Sequence, residues 1–132
     1  MNANSTLILN VDDNDGARYA KNRILQGAGY EVVEATNGTD ALEMVKRLSP
    51  ALVLLDVKLP DINGIDLHAR LAAKHPTLPF VFSTGHGDAL EVAAGSPTAR
   101  FLRKPYTSDA LLATLDDLLK EISPPGPLSS RA

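Results

Sequence analysis

The sequence predicts an α/β fold: a doubly wound sheet of five short parallel strands, covered by helices on both faces. Two observations carry that prediction. Short apolar runs alternate along the chain with stretches whose apolar residues recur at helical spacing. The third run, ALVLLD, stays apolar until its last residue, as a central parallel strand buried on both faces must. The length, 132 residues of which 44% are apolar, supports one real core.

The elements follow in order. Leu7–Val11 reads as the first strand, and Ala17, Ala20, Ile24 and Ala28 share one face of a first helix that Gly29 closes. Glu31–Ala35 is the second strand. Asn37 caps a second helix with the apolar face Ala41, Leu42, Val45 and Leu48, and Asp40 in its first turn suits the helix dipole. Ala51–Asp56 is the third strand, and Leu67 and Leu71 mark a third helix that ends before Pro76. Pro79–Ser83 and Ala99–Leu102 are the last two strands, with a short helix around Asp88–Ala94 between them. Thr107 or Ser108 caps a final helix striped by Leu111, Leu115, Leu118, Leu119 and Ile122. Residues 7–122 are thus expected to form the domain. Residues 1–6 read as a flexible start, and 123–132, with three prolines and no periodicity, as a disordered tail.

Composition removes several function classes. The formal charge is −3, from 16 acids and 13 bases without a basic block, which leaves direct nucleic-acid binding little to stand on. No run approaches the roughly 18 apolar residues of a membrane span, and MNANST lacks the features of a secretion signal. Without cysteine there is neither a disulfide framework nor a thiolate metal site. The expectation is a cytoplasmic protein that does not engage membrane.

In doubly wound sheets the chemistry collects at the carboxyl ends of the strands. Those ends carry Asp12, Asp13, Asp56, Thr84 and Lys104. Three crowded carboxylates repel, and a hard divalent cation such as Mg2+ relieves them with oxygen ligands. A lysine and a hydroxyl do nothing for a bare metal but bind the oxygens of an arriving phosphoryl group. Asp56 is the nucleophile candidate, because it ends the most apolar strand with its carboxylate emerging at the surface, and attack on phosphorus would give an acyl phosphate. Pro105 keeps the backbone of Lys104 extended, which aims that side chain across the strand ends.

The pieces ILNVDD (8–13), LVLLDVKLPDINGIDL (52–67), FSTG (82–85) and FLRKPY (101–106) together resemble the receiver domain of bacterial two-component response regulators, over roughly residues 6–121. The resemblance implies a flavodoxin-like sheet in the order 2-1-3-4-5. By position it makes Asp56 the phosphoacceptor, Asp13 a direct Mg2+ ligand and Asp12 the neighbour acting through water. The Lys58 carbonyl would complete the metal site. Thr84 matches the switch hydroxyl, Lys104 the phosphate-binding lysine, Phe101 the aromatic switch, and Pro60 and Gly64 the loop after the phosphoacceptor. Lys58, Gly85 and His86 match positions that tune access to the acyl phosphate and its hydrolysis. The implied partners are a sensor histidine kinase or a histidine phosphotransfer protein, and a downstream protein target. The implied activity is self-phosphorylation and slow hydrolysis without turnover of an external substrate.

The stretch from Thr84 to Lys104 is short for that family, as in single-domain regulators and hybrid-kinase receivers, so a monomer or weak homodimer is expected. An aspartate-nucleophile phosphatase of the haloacid dehalogenase type needs an acid where Lys58 stands. A nucleotide-binding domain needs a glycine-rich cradle where DDNDG stands. The remaining alternative is a phosphorylation-independent adaptor on the same fold, which loss of an acid would favour; none is missing.

Overall fold

The computed structural model describes residues 6–85 and 95–122. Along them run β1 (Leu7–Val11), α1 (Asp15–Gly27), β2 (Glu31–Ala35), α2 (Gly38–Leu48), β3 (Leu52–Leu55), α3 (Gly64–Lys74), β4 (Phe80–Thr84), β5 (Ala99–Arg103) and α4 (Ser108–Ile122). The expected helix around Asp88–Ala94 lies outside the described residues, as do the two termini. The five strands pair in parallel in the order β2-β1-β3-β4-β5. Leu9 lies opposite Val33 on one side and Val53 on the other. The chain therefore leaves β1 first toward β2 and then toward β3, and the crevice of a doubly wound sheet opens where that direction reverses.

Period-two alternation divides the buried side chains between two cores. Leu9, Val11, Val53, Leu55, Phe80 and Phe82 pack with Ala41 and Val45 of α2 and Leu67 and Leu71 of α3. Ile8, Leu52, Leu54 and Val81 pack on the other face with Leu25 of α1 and Leu111, Leu115 and Leu118 of α4. Each wholly buried leucine contributes about 2 kcal/mol of transfer free energy before the chain entropy is counted.

The helices begin where a side chain can satisfy an otherwise orphaned N–H group. Asn14 Oδ1 accepts from Ala17 N at 2.8 Å, Asn37 Oδ1 from Asp40 N at 2.8 Å, and Asn63 Oδ1 from Ile65 N at 2.7 Å. Thr107 Oγ1 accepts from Ala110 N at 3.0 Å, which settles the choice between Thr107 and Ser108. After α1, Gly29 takes a φ of 98°, in the left-handed region where a Cβ would be strained.

Three expectations need correction. The buried face of α1 is Lys21, Asn22 and Leu25, whereas Ala20 and Ala28 are exposed. The polar pair turns inward because each member finds a buried partner on or beyond β1. Leu48, the last residue of α2, is 40% exposed at the helix end, whereas Ala41 and Val45 are buried. Asp56 does not emerge at the surface: it is 8% exposed, enclosed by the other strand ends. The bounds of β3, β4 and β5 differ from expectation by a residue, so that Thr84 is the last residue of β4 rather than the first beyond it, whereas β1 and β2 run as expected.

Candidate phosphoacceptor and metal site

Two acids follow β1, and alternation sends them to different places. Asp12 shares the parity of Ile8 and Asn10 and turns toward α1, where it is fully buried; Asp13 is exposed. Asp56 follows β3 beside them, its backbone N–H donating to Val11 O at 3.0 Å. Ligand oxygens of Asp12, Asp13 and Asp56 lie within 4.8 Å of one another. The set is all hard oxygen, so it can hold a divalent cation.

Around the acids the backbone is held closely. Asn14 N donates to Asp12 Oδ1 at 2.9 Å, and Arg18 Nη1 donates to the Asp12 carbonyl at 2.9 Å while its guanidinium also pairs with Asp15 and Glu34 at 2.7 Å each. Lys58 N donates to Asp56 Oδ1 at 3.2 Å, and Lys58 bridges to Asn63 across the loop. Gly64 N donates to Val57 O at 2.7 Å, and a Cβ on Gly64 would meet Asp56 O at 2.5 Å and Val57 Cα at 2.7 Å. Only glycine lets α3 start this near the end of β3. Asp61 ties the same loop to the start of α2, accepting from Gly38 N at 2.7 Å, Thr39 N at 2.9 Å and Thr39 Oγ1 at 2.8 Å. Those donors pull its carboxyl down to about 2.

Lys104 Nζ stands 3.7 Å from Asp56 Oδ2. Lys104 N donates to the carbonyl of the buried Thr84 at 3.0 Å, and the Lys104–Pro105 bond is cis. Burial pushes the Asp56 carboxyl above its ordinary value and the charge of Asp12 adds to it, against the Lys58 N–H and Lys104. Burial also pushes Asp12 upward, but Lys21, Asn14 N–H and Lys104 together hold it below the ordinary carboxylate range.

The structure thus brings together Asp12, Asp13, Asp56 and Lys104, with Thr84 and Lys58 flanking them through backbone contacts. Gly85 is exposed, and a Cβ there would meet nothing within 4 Å. Phe101 is partly buried against the α2–α3 core, with the Arg103 guanidinium carbon 5.9 Å from its ring centre. His86 lies outside the described residues. Pro60 is an exposed part of the loop between β3 and α3.

Two features escaped the sequence reading. Lys21, 3% exposed, places Nζ 2.8 Å from Asp12 Oδ2, a charge contact whose angles fall short of hydrogen-bond alignment. Beside it Asn10 Nδ2 donates to Asn22 Oδ1 at 2.9 Å and to Arg18 O at 3.1 Å. The available signals were an asparagine inside an apolar strand and a lysine one turn before Leu25 on the inward face. Tyr106 was the other omission: its hydroxyl lies 2.9 Å from Ser83 Oγ, joining the segment after Lys104 to β4.

Comparison with known proteins agrees with this geometry. Residues 8–116 match the response regulator receiver domain family. Over 119 residues the chain is 34% identical to the response regulator MprA of Mycobacterium leprae, covering 89% of this chain and 52% of that protein. Over 119 residues it is 31% identical to the transcriptional regulatory protein GlrR of Escherichia coli K12, covering 89% of this chain and 27% of the other. The chain spans between about a quarter and a half of these relatives' length. A response regulator receiver domain protein from Methanospirillum hungatei JF-1 superposes with a TM-score of 0.80 at 27% identity, covering 89% of this chain and 95% of that one. With its sheet order, its three clustered aspartates and this match over most of its length, the chain belongs to the response regulator receiver domain family.

Proposed function

We propose that the chain is a phosphorylation-driven signalling switch in which Asp56 receives a phosphoryl group from a phosphohistidine of a histidine kinase or of a histidine phosphotransfer protein. The observation that carries this reading is the company Asp56 keeps: ligand oxygens of two further carboxylates within 4.8 Å, and the Lys104 ammonium 3.7 Å away. An Asp56 oxygen attacks phosphorus, the N–P bond of the donor breaks, and its electron pair returns to the imidazole. Asp13, Asp56 and the Lys58 carbonyl, with Asp12 acting through water, are the residues that would hold Mg2+, which supplies neutralisation of the transferring oxygens when bound.

The product's new oxygens call on Lys104 and on the Thr84 hydroxyl, and drawing these inward biases the backbone they share through the Lys104 N to Thr84 O bond. Phe101, one strand over, is the side chain placed to report that shift. Lys58, Gly85 and His86 govern access of donor and water to the acyl phosphate. The output is an altered contact with a downstream protein, or onward transfer of phosphate, with the protein as monomer or weak homodimer. No helix among the described residues is long and apolar enough to cross a membrane.

The test is intact mass after incubation with acetyl phosphate, with magnesium and then with chelator, for the parent and Asp56→Asn. The expected result is one added phosphoryl group that needs both magnesium and Asp56. If the added mass persists in Asp56→Asn, the assignment is wrong. If neither acetyl phosphate nor a beryllofluoride mimic engages the parent, the fold serves as a phosphorylation-independent adaptor.

A further inference from the structure

The buried lysine of α1 sits in the acid site itself. Lys21 is 3% exposed and Asp12 is fully buried, and their charged atoms lie 2.8 Å apart. The other Asp12 oxygen accepts from Asn14 N at 2.9 Å. Both oxygens of this acid are therefore already engaged by the protein's own groups. The lysine projects from the inward face of α1, one turn before Leu25, beside the Asn10–Asn22 hydrogen bond. Three carboxylates face two ammonium groups, Lys21 and Lys104, and the site keeps a single net negative charge.

Resting on the proposed function, we propose that Lys21 is a positioning residue for the divalent cation: a resident positive charge that competes with the metal's waters for Asp12 and weakens the ion's hold on Asp13 and Asp56. A dication meets twice the repulsion from Lys21 that a monovalent ion would, and the low-dielectric surroundings screen it poorly. Lys21 also competes with the metal's water shell for Asp12 Oδ2. Each effect acts against the ion, so this site should bind Mg2+ more tightly when the lysine is neutralised. A lysine that served only to fill space would leave the affinity unchanged on replacement, or lower it by loosening the site.

Magnesium chloride titrated calorimetrically into the full chain, at fixed ionic strength, reads the effect without any phosphoryl donor. Lys21→Met removes the charge and frees Asp12, and is expected to tighten Mg2+ binding by about tenfold. Lys21→Gln keeps a donor for Asp12 and the support of the buried acid, removes only the charge, and should tighten binding by about threefold. Lys21→Arg should restore parental affinity. Unchanged or weaker binding in both neutral variants overturns the role of Lys21, as does an arginine variant that behaves like methionine. An absence of magnesium binding in the parent and every variant overturns the metal site as a whole, whereas magnesium binding that appears only in the neutral variants supports the proposal in its strongest form.

Discussion

Asp56 shows how a functional side chain is held at a cost to the fold. It is buried among acids with one ammonium at 3.7 Å, and its carboxyl is pushed above the ordinary range mainly by burial. Asp56→Asn, which removes the charge and keeps the shape, should raise stability at neutral pH by about 1 kcal/mol in urea denaturation. His68 gives the opposite sign with pH. It is 8% exposed, stacked edge-on against Phe80 at 4.6 Å and Phe82 at 5.3 Å, with Nε2 unpartnered, and burial lowers its pKa. The unfolded chain protonates this group near pH 6.5 while the folded chain does not, so the stability it permits above that pH is lost as pH falls toward the depressed folded value. For one proton the loss is bounded by about 1.4 kcal/mol per pH unit. Urea midpoints of the parent and His68→Leu, measured from pH 7.5 to 5, should diverge with that sign; parallel curves would dismiss His68 as the titrating group.

At the scale of elements, the site depends on how closely α3 follows β3. The segment from Val57 to Asn63 is fastened at both ends, by Gly64 N on Val57 O and by the Asp61 carboxylate on the first turn of α2. Gly64→Ala would drive a Cβ into the Asp56 carbonyl and the Val57 backbone, neither of which can rotate away. The expected cost is about 2 kcal/mol of stability, with a larger proportional loss of acetyl phosphate labelling because the displaced atoms belong to the phosphoacceptor. A variant as stable and as readily labelled as the parent would show that the approach is not needed. Helix α1 makes the complementary point. Its inward face is set by Lys21, Asn22 and Leu25, with the polar pair fixed by Asp12 and Asn10 across the gap to β1.

For the whole molecule, a divalent cation held by the three carboxylates that follow β1 and β3 would relieve their repulsion and so link ligand to fold. Magnesium at ten times its dissociation constant should stabilise the parent by about 1.4 kcal/mol, a gain that chelator reverses. Equal melting curves with and without magnesium would deny that linkage. Much of this was legible in the sequence. The five strands and the convergence of Asp12, Asp13, Asp56 and Lys104 followed from alternating apolar runs and from where each run ends, whereas the strand order came from the resemblance of the motifs to receiver domains. Lys21, Asn22 and Asn10 were not legible, because paired polar groups can be buried at apolar positions and hydrophobic spacing is blind to partners. Ala20 and Ala28 misled for the converse reason: a single methyl carries so little apolar area that leaving it in water costs little. The five-stranded sheet also acts as a partition, with Leu67 and Leu71 on one side and Leu115 and Leu118 on the other sharing no core. Damage on opposite sides should therefore sum without synergy. A lineage, or an engineer, can rewrite one chamber of this protein while leaving the furniture of the other where it stands.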